Sequence, residues 1–120
     1  MFTEGTSWKR LTDARLPALA EGKVLRVMVG GTPICFVRSA GVLRALADHC
    51  PHQGKSFEGG TCERGYLICP HHKMSFDPVT GRNRYGSTTD AQVFPVEERA
   101  GEVRIGLPYT SLRLFGWKIW

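Results

Sequence analysis

Two short residue pairs constrain this chain more than anything else in it. Cys50 and His52 are separated by one residue, Cys69 and His72 by two, and sixteen residues lie between His52 and Cys69. The stretch "CPHQGKSFEGGTCERGYLICPHHKM", Cys50 to Met74, holds three of the four cysteines and three of the four histidines. Each pair can bring a thiolate and an imidazole to one point from a tight loop. Two such loops at the ends of neighbouring strands can close on one metal centre. The surrounding fold must therefore present two loops side by side.

With 120 residues the chain is expected to form one domain with one core. "MFTEGTSWKR" has no apolar stretch behind its charges, so no secretory signal is expected and the chain is read as cytoplasmic. No apolar run approaches a membrane span. In a reducing compartment four cysteines point to metal binding or catalysis before disulfides. The net charge of +5 comes from singly scattered residues, with "WKR" and "GRNR" the densest points. A solvated surface is expected, with no nucleic-acid footprint.

Fourteen glycines and seven prolines fit a turn-rich all-β domain. "KVLRVMVG" alternates with apolar residues on both faces and predicts a buried strand. Gly30-Gly31 predicts a tight hairpin turn to the partner "TPICFVR". "GVLRALA", after "SAG", predicts a third strand. Cys50–Phe57 has turn chemistry without a period and reads as a loop. "GYLIC" reads as a short strand leading into a second loop, "PHHKMS". "FDPVTGR" reads as strand then turn, and "AQVFPVEERAGEVRIGL" as two strands joined at "RAG". "DARLPALA" hints at a helical turn that Pro17 interrupts. "PYTSLRLFGWKIW" is apolar and aromatic, and is expected to pack back on the domain.

A centre with two sulfur and two nitrogen ligands can be tetrahedral zinc, or a cluster in which two cysteines hold one iron and two histidines the other. Zinc fingers group a cysteine pair, then a histidine pair on a helix; here each loop gives one of each kind and no helix follows. At this point the sequence resembles the Rieske-type ferredoxins. "CPHQGKSFEGG", with Gly54 and Gly59, is similar to that family's first cluster loop, and "CPHH" followed by "FDPVTG" to its second. The resemblance covers roughly residues 5–107. It implies a Rieske-like fold of stacked small antiparallel sheets with a two-loop cluster-binding subdomain. It also implies a [2Fe–2S] cluster, with Cys50 and Cys69 on the inner iron and His52 and His72 on the outer one.

The departures from the family pattern carry expectations of their own. Respiratory Rieske proteins brace the loops with a disulfide; the matching positions here are Lys55 and His71. Their cluster sulfurs receive hydrogen bonds from a serine and a tyrosine; here those positions are Met74 and Phe76. Fewer donors stabilise the reduced cluster less, which places the potential near the low end of the Rieske range, roughly −150 mV. Ser75 is a candidate substitute donor. Ferredoxins of this type carry Trp and Gly around the second ligand histidine, where this chain has His71 and Lys73. If that glycine position needs φ > 0, Lys73 is strained, and its charge would raise the potential. A proline-containing loop of the family is replaced by "YGSTTD".

Elsewhere the expectations are plain. Cys62 reads as a free thiol and Cys35, in "ICFV", as a core thiol. His49 reads as exposed or as a neighbour of the ligands, and family spacing favours His72 over His71 as ligand. Trp8, Trp117 and Trp120 read as packing residues. No catalytic residues are expected: no paired acid and base or Ser-His-Asp set stands out. The expected organisation is a domain over 1–107, with a cluster-binding subdomain at about 47–88, and an aromatic tail over 108–120. The resemblance implies a one-electron carrier between a flavin-dependent reductase and a terminal oxygenase, since the chain has no room for a mononuclear-iron domain. The alternatives are a small subunit of a reductase, such as that of nitrite reductase, and a structural zinc module.

Overall fold

The computed structural model describes residues 6–51, 54–71, 73–86 and 89–108. Among them there is no helix, and so none long and apolar enough to cross a membrane. The ten strands are β1 (Thr6–Leu11), β2 (Val24–Val29), β3 (Thr32–Ser39), β4 (Val42–Ala47), β5 (Thr61–Glu63), β6 (Tyr66–Ile68), β7 (Ser75–Phe76), β8 (Val93–Phe94), β9 (Val96–Arg99) and β10 (Glu102–Pro108). All pair antiparallel, in three sheets ordered β1-β10-β9, β2-β3-β4-β8 and β5-β6-β7. The expected all-β stack of small sheets is what forms.

Four hairpins share one device, a two-residue turn in which both residues have positive φ. They are Gly30-Gly31, Ala40-Gly41, Arg64-Gly65 and Ala100-Gly101. Such turns match the right-handed twist of the strands they join. Three were legible as glycine punctuation. The Arg64-Gly65 turn and β5 before it were not, nor was β1, whose "TSWKRL" alternates without an apolar face.

β3 sits at the centre because both of its faces are covered. Ile34 and Phe36 point into one apolar core with Leu16, Leu43, Phe94, Ile105 and Leu107. Cys35 and Val37 point the other way, into a second core with Leu46, Phe57, Leu67 and Phe76. The period of two along β3 thus feeds two layers of packing. β2, expected to be buried, is instead an edge strand: Arg26 and Met28 are exposed and only Val29 is buried. Its apolar residues divide between the two cores, Leu25, Val27 and Val29 with the first and Val24 with the second.

The segment read as a single strand up to "RAG" divides at Pro95. β8 joins the sheet of β4, while β9 joins that of β10. Proline donates no backbone hydrogen bond, so the ladder is interrupted there. Its carbonyl still accepts from the Gly106 N–H at 2.9 Å, which keeps the crossing tight. Residues 14–18 form turns with no helix, consistent with Pro17. Of the expected tail only Pro108 is described, as the last residue of β10; residues 109–120, including Trp117 and Trp120, lie outside the described residues.

Candidate metal centre

β4 and β6 deliver the two sulfur residues. Cys50 opens the loop that follows β4, and Cys69 comes directly after β6. Both are buried in the second core, against Phe57, Leu67 and Phe76. Neither is in a disulfide, and the two thiols lie within hydrogen-bonding range of each other. Residues nineteen apart in sequence have been brought face to face. His52 and His72 lie outside the described residues.

Backbone hydrogen bonds shape both loops. The Cys50 N–H donates to the Lys55 carbonyl at 2.8 Å, and the Gly54 N–H to the Cys50 carbonyl at 2.6 Å. Gly54 has φ +72°, and a Cβ there would stand 3.0 Å from a carbon of the His49 ring. In the second loop the Cys69 N–H donates to the Met74 carbonyl at 2.8 Å, and the His71 N–H to the Cys69 sulfur. The loops meet at Gly60, where a Cβ would lie 2.2 Å from the Ile68 carbonyl oxygen and 3.2 Å from Pro70. Only glycine allows that approach.

Burial pushes the Cys69 thiol up to about 11. The His71 N–H works against the rise, while the Cys50 thiol and the Asp48 carboxylate add to it. The pocket therefore keeps the Cys69 sulfur protonated until a cation stabilises the thiolate. Burial likewise holds the Cys35 thiol well above its ordinary value, consistent with a core thiol. Cys62 is half-buried at the edge of the same core and hydrogen-bonded to Ser39.

Met74 and Phe76, the two positions expected to lack a hydroxyl donor, lie beside the sulfur pair. Met74 is half-buried, and Phe76 is fully buried and meets Phe57 edge-on, with ring centroids 5.7 Å apart. Ser75 pairs with Ile68, whereas Phe76 pairs with Leu67. The pleat therefore turns Ser75 to the face opposite Leu67 and Phe76, which belong to the core of Cys50 and Cys69. That removes Ser75 as a substitute donor. Lys73 has φ +57°, so the strain expected at the glycine position is present. Lys55, His49 and His71 are exposed, and Trp8 is 45% exposed, only partly the packing residue expected.

One residue of the site was not anticipated. Asp48 ends the approach to the first loop with a side chain that is 0% exposed. Its Oδ2 accepts from Arg26 Nε at 2.8 Å and from Ser56 Oγ at 2.5 Å, and its Oδ1 from the Phe57 N–H at 2.8 Å. The available signal was a charged residue placed directly after the apolar strand "VLRALA".

Two facing free thiols in an apolar pocket, one of them receiving a backbone N–H, fit the sulfur half of a two-iron cluster, but also of a zinc site. Comparison with known proteins decides between them. The Rieske [2Fe-2S] domain family matches residues 9–98. The ferredoxin component of naphthalene 1,2-dioxygenase/salicylate 5-hydroxylase systems of Ralstonia sp is 31% identical over 85 residues, covering 70% of this chain and 82% of that one. The oxygenase component of dicamba O-demethylase of Stenotrophomonas maltophilia is 32% identical over 94 residues, 72% of this chain. The chain spans only 28% of that oxygenase's length. A chain in the complex of reduced oxygenase and oxidised ferredoxin of carbazole 1,9a-dioxygenase superposes with a TM-score of 0.69 at 30% identity, over 82% of this chain and 91% of that one. With the match running through both sulfur-bearing loops, the chain belongs to the Rieske [2Fe-2S] domain family, and its cofactor is a [2Fe–2S] cluster.

Proposed function

We propose that this protein is a one-electron carrier, taking electrons from a flavin-dependent reductase and passing them to a terminal oxygenase. One observation carries the reading: Cys50 and Cys69 stand buried and face to face in two adjoining loops of a Rieske domain. Relatives of comparable length that are named ferredoxin components support it. The subdomain that would hold the cluster spans about residues 47–88 within a domain of residues 1–107.

In this reading Cys50 and Cys69 hold the inner iron, and His52 and His72 the outer one. Bound there, the cluster supplies a reversible one-electron couple. The chain's own residues do the rest. Phe57, Leu67 and Phe76 keep water from the sulfur side. The His71 N–H stabilises negative charge on the Cys69 sulfur. The shortage of side-chain hydroxyls places the potential low, at roughly −150 mV. The net charge of +5 suits an acidic docking face on the partner. Free thiols at Cys35 and Cys62 suit the reducing cytoplasm.

The test is the electron paramagnetic resonance spectrum of the dithionite-reduced protein. A rhombic signal with average g well below that of an all-cysteine cluster is expected. It should be lost in His52→Ala and His72→Cys. Stoichiometric zinc without a signal would remove the electron-transfer reading. A monomer that reduces separately purified oxygenases supports the carrier; a persistent 1:1 complex that survives purification supports a reductase subunit.

A further inference from the structure

We propose that Asp48 is a positioning residue of the cluster site that both fixes the first loop and biases the bound cluster towards its oxidised state. The inference rests on the ligand reading above, because it concerns the loop that carries Cys50 and His52.

The geometry of the carboxylate is that of a clasp. The Asp48 N–H donates to the Pro33 carbonyl at 3.0 Å, which ties its backbone to β3. From that fixed point the side chain reaches across to the far end of the loop, where Ser56 Oγ and the Phe57 N–H both donate to it. The Cys50–Lys55 and Gly54–Cys50 backbone bonds lie inside this bracket. Both ends of the segment that carries the ligands are thus held by one side chain. Removing it would free the far end and leave the Phe57 N–H, a buried donor, without its partner.

Position alone does not account for a carboxylate. Burying one costs several kcal/mol unless it is paired and hydrogen-bonded, and a neutral amide could hold both loop partners by accepting from the Phe57 N–H and donating to Ser56 Oγ. What the carboxylate adds is charge. Its counter-ion does not cancel that charge evenly: the Arg26 side chain is 40% exposed while that of Asp48 is 0% exposed. Water screens the exposed cation more than the buried anion, which lies two residues from Cys50. Reduction adds negative charge to the cluster, so this arrangement opposes it. The pair Arg26 and Asp48 therefore acts as a two-sided control, each residue pushing the potential in the opposite direction.

The test is redox titration of the purified, cluster-loaded protein, with iron per chain and the electron paramagnetic resonance line shape measured alongside. In Asp48→Asn the amide still bridges the loop, its Oδ1 accepting from the Phe57 N–H and its Nδ2 donating to Ser56 Oγ, and the negative charge is gone. At a fixed potential the ratio of reduced to oxidised cluster should rise about tenfold, which for one electron is ~59 mV. In Arg26→Gln the ratio should move the other way. Asp48→Ala should lose iron and broaden the signal, and Asp48→Asn should restore both. If Asp48→Asn and Arg26→Gln keep their cluster and their wild-type potential, the electrostatic part is overturned. If Asp48→Ala keeps full iron and an unchanged line shape, the positioning part is overturned. A wild-type protein that holds zinc in place of a cluster overturns the ligand reading and this inference with it; unmoved potentials in a protein that does hold the cluster overturn this inference alone.

Discussion

Arg38 of β3 grips Glu98 of β9 with both arms of its guanidinium, Nη1 to Oε1 at 2.6 Å and Nη2 to Oε2 at 3.1 Å. The pair joins two different sheets. The same guanidinium donates to the carbonyls of Leu16, Pro17 and Leu19, so one nearly buried side chain also fastens the segment between β1 and β2. Removing it would leave a carboxylate and three carbonyls short of a donor. Arg38→Ala is expected to cost about 3 kcal/mol in urea unfolding. Glu98→Ala should cost about 1 kcal/mol, because the guanidinium keeps its carbonyl partners. Equal costs in the two variants would show that the ion pair, and not the carbonyl set, is what matters.

Lys73 separates backbone strain from charge. Its φ of +57° costs an L-residue roughly 1 kcal/mol. Lys73→Gly relieves that strain and Lys73→Ala does not, so only the glycine variant should unfold at higher denaturant, by a stability gain of up to about 1 kcal/mol. Both variants remove a cation beside the second loop, so both should lower the reduction potential by a few tens of millivolts. A potential that falls in only one variant would tie the effect to loop geometry instead.

The sulfur pair and most of the turns were legible because their signals are local. Cys50 and Cys69 follow from spacing within one stretch, and Gly30, Gly41 and Gly101 mark their own turns. The misses are residues whose role depends on distant chain. β2 looks buried in isolation, but only the sheet order makes it an edge. Pro95 reads as a blemish in one strand until β8 and β9 are seen to join different sheets. Asp48 meets Arg26 across 22 residues of sequence, through the pairing of β2 with β3 and β3 with β4 in one sheet. Arg64 occupies a left-handed turn position that its residue type does not advertise.

Gly60, where the first loop meets β6, should resist replacement. A Cβ would sit 2.2 Å from the Ile68 carbonyl oxygen and 3.0 Å from that of Phe57. Both atoms are backbone, so the clash cannot be relieved by a rotamer change. Gly60→Ala must separate the first loop from β6, and with it the Cys50 and Cys69 thiols. It is expected to cost more than about 3 kcal/mol and to yield protein with little iron. Gly65→Ala is the control, since nothing lies within 4 Å of its Cβ and only the positive φ is strained; about 1 kcal/mol and full iron are expected. Comparable iron in the two variants would refute the close approach of the loops.

The potential itself should depend on pH, and the sign follows from charge. Oxidised iron carries more positive charge than reduced iron, so imidazoles bound to it give up their protons at lower pH when the cluster is oxidised. Below the oxidised-state pKa both forms hold the protons and the potential is level. Between the oxidised-state and reduced-state values each electron brings a proton with it, and the potential falls by about 59 mV per pH unit for one proton per electron. Cyclic voltammetry of the wild-type protein should therefore show a plateau at neutral pH and a decline at alkaline pH. His72→Cys, if it retains a cluster, should show a weaker decline, because the proposed ligand set then has one titrating imidazole fewer. A wild-type potential that stays level to high pH would contradict ligation by His52 and His72.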